Sequence, residues 1–307
     1  MNVTATDHAS PRDGLGLDEE RLEAGRLLAG RYRVVRFVAA GGMGEVYQAD
    51  DVLLGDGVAL KLLRGDLLRK DGAQARFADE IRLARRVTHP NVCRVFDVGV
   101  EGARVFYTME LHSGHTLARH LGEPMDLADI RPILAQMLAG LEAAHDAEIV
   151  HADLKPSNVL LTDRRAVITD FGLAMPMCAT LGCGCAMPHL LGTPAYMAPE
   201  QVTGGMVTEG TDLFALGVIL YEMVTGTLPW RAPTALATAQ ARLSGPTPSP
   251  RALRPDRPLQ WDDLIRACLA RDVAARPADA RAVVRALDLH AVDRPTAREQ
   301  LAYDRSG

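Results

Sequence analysis

The chain has 307 residues, of which 48% are hydrophobic and 24% charged, and its formal net charge is -5. This composition is typical of a globular protein with enough core to fold unaided, and the negative charge argues against a nucleic-acid binder driven by a general basic field. The sequence contains no apolar run of about 18 residues, so it predicts no membrane span. Residues 1–20 lack the apolar segment of a signal peptide, so we expect a cytoplasmic location.

The first third of the chain predicts a small β-rich lobe. Residues 1–28 are polar, which predicts a flexible arm. The following five β-rich runs predict strands of an antiparallel sheet: "RYRVVRFVAA", "GEVYQAD", "GVALKLL", "VCRVFDVGV" and "RVFYTME". The run "AQARFADEIRLARRV" interrupts them and predicts one helix, with Phe77, Ile81 and Ala84 on one face.

The rest of the chain predicts a larger helical lobe. Residues 126–148 carry apolar side chains at helical spacing, with Asp126 as the expected N-cap. Residues 211–225 are apolar almost all round, which indicates a buried helix. A proline-rich loop and two or three further helices follow, and residues 291–307 predict a tail or linker.

Together these elements predict an α+β fold of two lobes. We expect an N-terminal lobe at residues 29–109, with a five-stranded antiparallel sheet and one helix, and a mainly helical C-terminal lobe at residues 116–290. Residues 110–115 are the expected connector between them. A cleft between two lobes is a common place for a ligand.

The hairpin "AAGGMGEVY" lies between the first two predicted strands. Gly41, Gly42 and Gly44 allow the backbone to approach a ligand closely and to direct its N–H groups at phosphate oxygens. The alternative is that these glycines only form the turn.

Lys61 lies in the strand "VALK" between apolar neighbours. A lysine in such a run needs an anionic partner unless it lies on a solvated edge. The following helix offers Glu80, so a Lys61–Glu80 ion pair that also contacts phosphate is one interpretation. A surface lysine is the other.

Two further segments contain residues suited to phosphate chemistry. In "VHADLKPSNVLL", Asp153 can accept a hydroxyl proton, Lys155 can neutralise phosphoryl charge and Asn158 can ligate a hard cation through oxygen. In "TDFGLA", Asp170 offers a second oxygen ligand. Oxygen ligands without histidine favour Mg²⁺ over zinc.

The order of these motifs resembles the protein kinase catalytic domain, in the form found in bacterial eukaryotic-like Ser/Thr kinases. The resemblance runs from Arg31 to Leu287 and also includes "GTPAYMAPE", "TDLFALG" and the late arginine in "RDVAARPADA". It implies an enzyme that transfers the γ-phosphate of ATP to a Ser or Thr hydroxyl of a protein substrate, with Mg²⁺ as the metal and Mn²⁺ as a second option. The alternative is a pseudokinase that acts as a nucleotide-binding scaffold or interaction module. No nucleic-acid partner is expected, and the oligomeric state is open.

The resemblance also implies roles for the catalytic residues. Lys61 is expected to hold the α- and β-phosphates and to pair with Glu80, and Asp153 to position and deprotonate the hydroxyl. Lys155 is typical of the Ser/Thr-specific form.

Asn158 and Asp170 are the metal ligands that the resemblance implies, and Met109 occupies the gatekeeper position. The implied nucleotide-binding residues are Val38, Gly41, Gly44, Val46, Ala59, Lys61, Met109, Glu110, His112 and Leu160.

Structural contacts are implied as well. Glu200 is expected to form a buried ion pair with Arg276, and Asp212 to brace the catalytic loop. His151 and Phe171 are expected to stack between the lobes.

Two positions depart from the family pattern. Ala39 replaces the first glycine of the hairpin, and Ala152 replaces the arginine that in most members binds a phosphate on the activation loop. The segment between Asp170 and Glu200 contains no serine and only Thr180 and Thr193 as threonines. Because Thr193 is expected to bond Asp153, we expect activity without activation-loop phosphorylation.

The same segment contains Cys178, Cys183, Cys185 and His189. These residues suit a zinc site, although their spacing is not a familiar zinc pattern. A redox switch formed by two of the thiols is a second interpretation. The third is a run of small loop residues with no shared role.

Overall fold

The computed structural model describes the backbone of residues 21–65, 73–171 and 194–289. Side chains are described in the same ranges except at residues 73–76, 80, 194, 235, 236 and 239.

The N-terminal lobe is built on a six-stranded antiparallel sheet with the strand order β1-β2-β3-β4-β6-β5. The strands are β1 (Leu27–Leu28), β2 (Tyr32–Gly41), β3 (Gly44–Asp51), β4 (Asp56–Leu63), β5 (Val95–Glu101) and β6 (Arg104–Glu110). The five predicted strands are confirmed as β2 to β6. Their aromatic and branched side chains favour a half-buried pleated surface.

The chain before β2 differs from the predicted flexible arm. Leu28 is fully buried, and β1 pairs with β2. Leu22 is 5% exposed, and its N–H donates to the Tyr47 hydroxyl at 3.1 Å. The expectation of a loose arm is therefore wrong for residues 21–28, because a two-residue strand is too short to show a periodic pattern.

Helix α1 (Ala73–Ala84) is the predicted helix of this lobe. It buries Phe77, Ile81 and Ala84, the face that the sequence predicts. The Phe77 ring lies 6.0 Å from the Tyr107 ring of β6, so the helix packs on the side of the sheet formed by β5 and β6.

The C-terminal lobe is mainly helical, which confirms the predicted α+β fold. Its helices are α2 (Leu127–His145), α3 (Pro199–Thr203), α4 (Glu209–Thr225), α5 (Ala235–Ser244), α6 (Leu259–Cys268) and α7 (Ala280–Leu287). A small antiparallel sheet of β7 (His115–Thr116), β8 (Val159–Leu161) and β9 (Ala166–Ile168) faces the other lobe. Helix α4 runs through the core, as its apolar sequence predicts.

Asp126 is the N-cap residue of α2, as the sequence predicts, although its side chain makes no capping hydrogen bond. The sequence analysis did not identify α3 or α5. No helix in the described ranges is both long and apolar enough to cross a membrane.

The two lobes are joined by more than the connector. Just before β5, Cys93 N–H donates to the Ile168 carbonyl at 2.8 Å, and Val92 forms a bridge with Ile168. This contact ties the start of the N-terminal sheet edge to the end of β9. It fixes the distance between β4, β6 and the segment that follows β9.

Candidate active site

The catalytic loop before β8 is held by one buried carboxylate. Asp212, in the first turn of α4, is fully buried and accepts the N–H groups of His151 and Ala152, each at 2.8 Å. His145 Nε2 lies 2.8 Å from the same carboxylate. The predicted brace is therefore present, and its hydrogen bonds offset the cost of burying the charge.

Ala152 adopts a left-handed backbone conformation with φ 62°. Such a conformation costs a non-glycine residue roughly 1–2 kcal/mol, so its surroundings must hold it. The Ala152 carbonyl accepts Gln201 Nε2 at 2.7 Å, and Gln201 Oε1 accepts Ala198 N–H at 2.9 Å. Gln201 thus links the catalytic loop to the segment before α3. The sequence analysis did not identify it.

The polar side chains of the catalytic loop converge. Lys155 Nζ lies 2.5 Å from Asp153 Oδ2, and Asn158 Nδ2 donates to the Asp153 carbonyl at 2.9 Å. The side chains of Asp153 and Lys155 are each 17% exposed, which leaves them open to an incoming hydroxyl group. This arrangement suits a general base with a cation beside it.

Asp170 follows β9 and also has a left-handed backbone, with φ 63°. Lys61 Nζ lies 2.7 Å from its Oδ2, and the Tyr107 hydroxyl donates to its Oδ1 at 2.6 Å. Burial alone would raise the pKa of Asp170, but the Lys61 charge and the two hydrogen bonds outweigh burial and lower that pKa.

Lys61 is buried, so the surface interpretation of this residue is wrong. Its anionic partner in the structure is Asp170. The Glu80 side chain, the partner expected from the sequence, lies outside the described residues.

The glycine-rich hairpin joins β2 and β3. Gly44 has φ 153°, and a Cβ there would collide with the Leu62 carbonyl oxygen of β4. Gly41 has open space around its Cα. Close packing on β4 therefore requires glycine at Gly44, whereas the space beside Gly41 is free for a ligand.

The expected nucleotide-binding side chains surround one end of the cleft. Ala59 pairs with Met109, and Val46 pairs with Lys61 across neighbouring strands. Leu160 of β8 approaches the same cluster from the other lobe, while Val38 is 45% exposed. These residues form apolar walls on both sides of the cleft.

The connector offers a limited set of backbone groups to a ligand. Glu110 N–H already donates to the Arg94 carbonyl at 2.8 Å. The Glu110 carbonyl is therefore the backbone group of this residue that can bind a ligand. Cys93 Sγ lies 3.6 Å from that carbonyl, at the distance of a weak hydrogen bond. Burial lowers the pKa of His112, outweighing the nearby Glu110 carboxylate, so its ring is neutral at pH 7.

The donor set at the cleft fits Mg²⁺. Thr169 N–H donates to the Asn158 carbonyl at 2.9 Å, which places Asn158 next to the residue that precedes Asp170. In the described part of the chain, no group of three or more His, Cys, Asp or Glu side chains could hold a metal. Mg²⁺ is often held by one or two protein oxygens, with the other positions filled by phosphate and water.

A buried ion pair lies behind the site. Arg276 donates to both carboxylate oxygens of Glu200, each at 2.8 Å, and Thr211 donates to Glu200 at 2.8 Å. The rings of His151 and Phe171 are 4.7 Å apart. Both predicted contacts are therefore present.

The remaining candidates lie outside the described residues. They are Thr180, Thr193, Cys178, Cys183, Cys185 and His189.

Comparisons with known proteins agree with this geometry. The family described as "Protein kinase domain" matches residues 32–287. Serine/threonine-protein kinase pkn3 of Myxococcus xanthus is 36% identical over 295 residues, which cover 92% of this chain and 53% of pkn3. Serine/threonine-protein kinase PrkC of Bacillus subtilis is 33% identical over 254 residues, which cover 81% of this chain and 38% of PrkC.

Among solved structures, the PknI kinase domain of Mycobacterium tuberculosis superposes with a TM-score of 0.71 at 27% identity, covering 87% of this chain and 98% of that domain. The chain spans about half the length, or less, of the two curated relatives. Its motifs, its fold and the match over residues 32–287 agree: the chain belongs to the protein kinase family and is similar to bacterial serine/threonine kinases.

Proposed function

We propose that the chain is the catalytic unit of an ATP-dependent Ser/Thr protein kinase, with residues 29–290 as its kinase domain. The observation that carries the proposal is the convergence of Lys61, Asp153, Asn158 and Asp170 on one cleft between the lobes. A protein hydroxyl and the γ-phosphate of ATP are the reactants that this donor set suits.

Each residue then has a definite task. Asp153 accepts the proton of the substrate hydroxyl, and Lys155 beside it offsets negative charge as the phosphoryl group moves. Asn158 and Asp170 hold Mg²⁺, which neutralises phosphate charge when it is bound. Lys61 supplies a fixed positive charge at the closed end of the cleft and binds phosphate oxygens.

The direct test is phosphotransfer to a generic protein substrate such as casein. We expect the purified chain to move label from γ-labelled ATP to serine and threonine, identified by phosphoamino-acid analysis. Removal of divalent cations with EDTA should abolish transfer, and Mg²⁺ should restore it. Nucleotide binding without any transfer would contradict the proposal and would favour the scaffold alternative.

We also propose that this activity does not need a phosphorylated activation loop. The arginine that usually reads such a phosphate is Ala152 here, and both polar backbone groups of Ala152 are bonded within the C-terminal lobe. Asp212 holds its N–H and Gln201 holds its carbonyl. These bonds support a catalytic loop whose position does not depend on a phosphate.

Phosphatase treatment and the Thr180→Ala substitution should each leave kcat within about twofold of the untreated protein, a change of under 1 kcal/mol in the barrier. Gln201→Ala should lower kcat roughly tenfold, because misplacement of a catalytic group is costly, while KM for ATP stays unchanged. Gln240→Ala, at an exposed glutamine of α5, is the matched control. Loss of activity on phosphatase treatment would contradict the proposal.

A further inference from the structure

Tyr107 is a polar side chain in the most buried part of the N-terminal sheet. It is fully buried between Phe77 of α1 and the cleft, on β6, which lies between β4 and the edge strand β5. A phenylalanine would fill the same space without the cost of burying a hydroxyl group, which the hydroxyl offsets only by finding a partner. That partner is Asp170, at 2.6 Å.

The register of the sheet explains the contact. Lys61 of β4 and Tyr107 of β6 are direct cross-strand partners, so their side chains lie on the same face of the sheet. Both reach across the cleft to one carboxylate: Lys61 binds Oδ2 at 2.7 Å and Tyr107 binds Oδ1 at 2.6 Å. Asp170 comes from the other lobe, so each bond also joins the two lobes.

Two donors from fixed strands determine how the carboxylate is oriented. A carboxylate offers about four lone-pair sites, so two remain when Lys61 and Tyr107 each use one. A tyrosine hydroxyl is protonated at neutral pH, so toward the carboxylate it acts as a donor. With only Lys61, whose side chain has four rotatable bonds, the carboxylate would be free to turn about its own axis.

We propose that Tyr107 is a positioning residue for the metal ligand: its hydroxyl fixes the orientation of the Asp170 carboxylate that receives Mg²⁺. This inference rests on the proposed metal role of Asp170. It assigns a task in phosphoryl transfer to a tyrosine that touches neither ATP nor the substrate.

The test is Tyr107→Phe, which removes one oxygen atom and keeps the ring. Mg²⁺ is titrated into the ADP complex and followed by calorimetry, so that binding is measured without turnover. We expect the Mg²⁺ dissociation constant to rise about tenfold, the scale of one hydrogen bond to a charged group. ADP binding in the absence of metal should not change. Tyr107→Met, which removes the hydroxyl with another apolar side chain, should give the same loss.

Tyr221→Phe is the matched control, because Tyr221 is a buried tyrosine of α4 remote from the cleft. Its Mg²⁺ affinity should equal that of the wild type. Unchanged or tighter Mg²⁺ binding by Tyr107→Phe would overturn the inference, since tighter binding would mean that the hydroxyl competes with the metal.

Asp170→Asn separates this inference from the proposed function on which it rests. If Asp170→Asn keeps normal Mg²⁺ affinity, the metal role of Asp170 fails. If Asp170→Asn loses Mg²⁺ and Tyr107→Phe does not, only the role of Tyr107 fails. In the metal-free protein, the effects of Tyr107→Phe and Asp170→Asn on unfolding should be non-additive, because the two residues share one hydrogen bond.

Discussion

Replacing Asp153 by asparagine should lower kcat for protein phosphorylation by about 10²–10⁴-fold, the usual contribution of a general base. The substitution keeps the volume of the side chain, and it leaves the Asn158 bond to the Asp153 backbone carbonyl in place. An amide cannot accept the hydroxyl proton, however, and it removes the charge that holds Lys155 Nζ at 2.5 Å. The loss should therefore fall on the chemical step.

The measurement is the rate of label transfer to casein at saturating ATP, together with KM for ATP and the thermal unfolding midpoint. We expect KM and the midpoint to change little. Asp163→Asn, at an exposed aspartate in the turn between β8 and β9, is the matched control and should retain wild-type kcat. Equal transfer by the Asp153→Asn and wild-type proteins would sink the assignment of Asp153 as the base.

Replacing Arg276 by methionine should destabilise the protein by about 3–5 kcal/mol, because it leaves the Glu200 carboxylate without its cation in a largely buried place. The Arg276 side chain is fully buried and also donates to the Gly210 carbonyl at 2.8 Å. Its loss therefore leaves both the Glu200 carboxylate and the Gly210 carbonyl without this partner. The free energy of unfolding, from denaturant titration, measures the effect.

The exposed ion pairs of Arg281 with Glu142 and Asp146 provide the control. Their N–O distances are 2.7 Å and 2.8 Å, as close as those of the buried pair, but the Arg281 side chain is 51% exposed. Arg281→Met should cost less than about 1 kcal/mol, as solvent-exposed ion pairs usually do. Equal losses of stability from the two substitutions would show that burial does not determine how much an ion pair contributes to stability.

The pH dependence of the buried pair has a definite sign. Burial would raise the pKa of Glu200, but the hydrogen bonds from Arg276 and Thr211 outweigh it and lower that pKa. A lowered carboxyl pKa stabilises the fold fully above the unfolded-state value of about 4.3, and this stabilisation is lost as the pH falls through the folded-state value. The difference between wild type and Arg276→Met should accordingly shrink below about pH 4.

Much of the fold could be predicted from local patterns. Alternating and β-branched residues predicted β2 to β6, and the all-apolar run predicted the buried helix α4. Helix α3 was missed because five residues give little more than one turn to read, and α5 was not assigned. The N-cap position of Asp126 was predicted correctly, but the sequence does not show whether its side chain forms the capping bond, because that depends on the rotamer as well as on the residue type.

Some residues of the candidate site could be predicted from the sequence, and others could not. Asp153, Asn158, Lys61 and Asp170 stand in short motifs whose spacing is visible in the sequence. Tyr107 does not, because its contact with Asp170 depends on the cross-strand register and on the placement of two lobes. Gln201 is equally hidden, since the sequence shows that an arginine is replaced at Ala152 but not which residue bonds its carbonyl.

The packing of Leu22 has a consequence for where the protein can be cut. The match to the protein kinase domain begins at residue 32, yet Leu22 and Leu28 are already part of an apolar cluster with side chains of β2, β3 and β4. Arg21 lies over the Phe37 ring at 4.4 Å and next to Glu45, beside the glycine-rich hairpin. A protein trimmed to begin at residue 32 would lose part of its own interior. The stretch that folds as a unit therefore begins before the first residue of the protein kinase domain match.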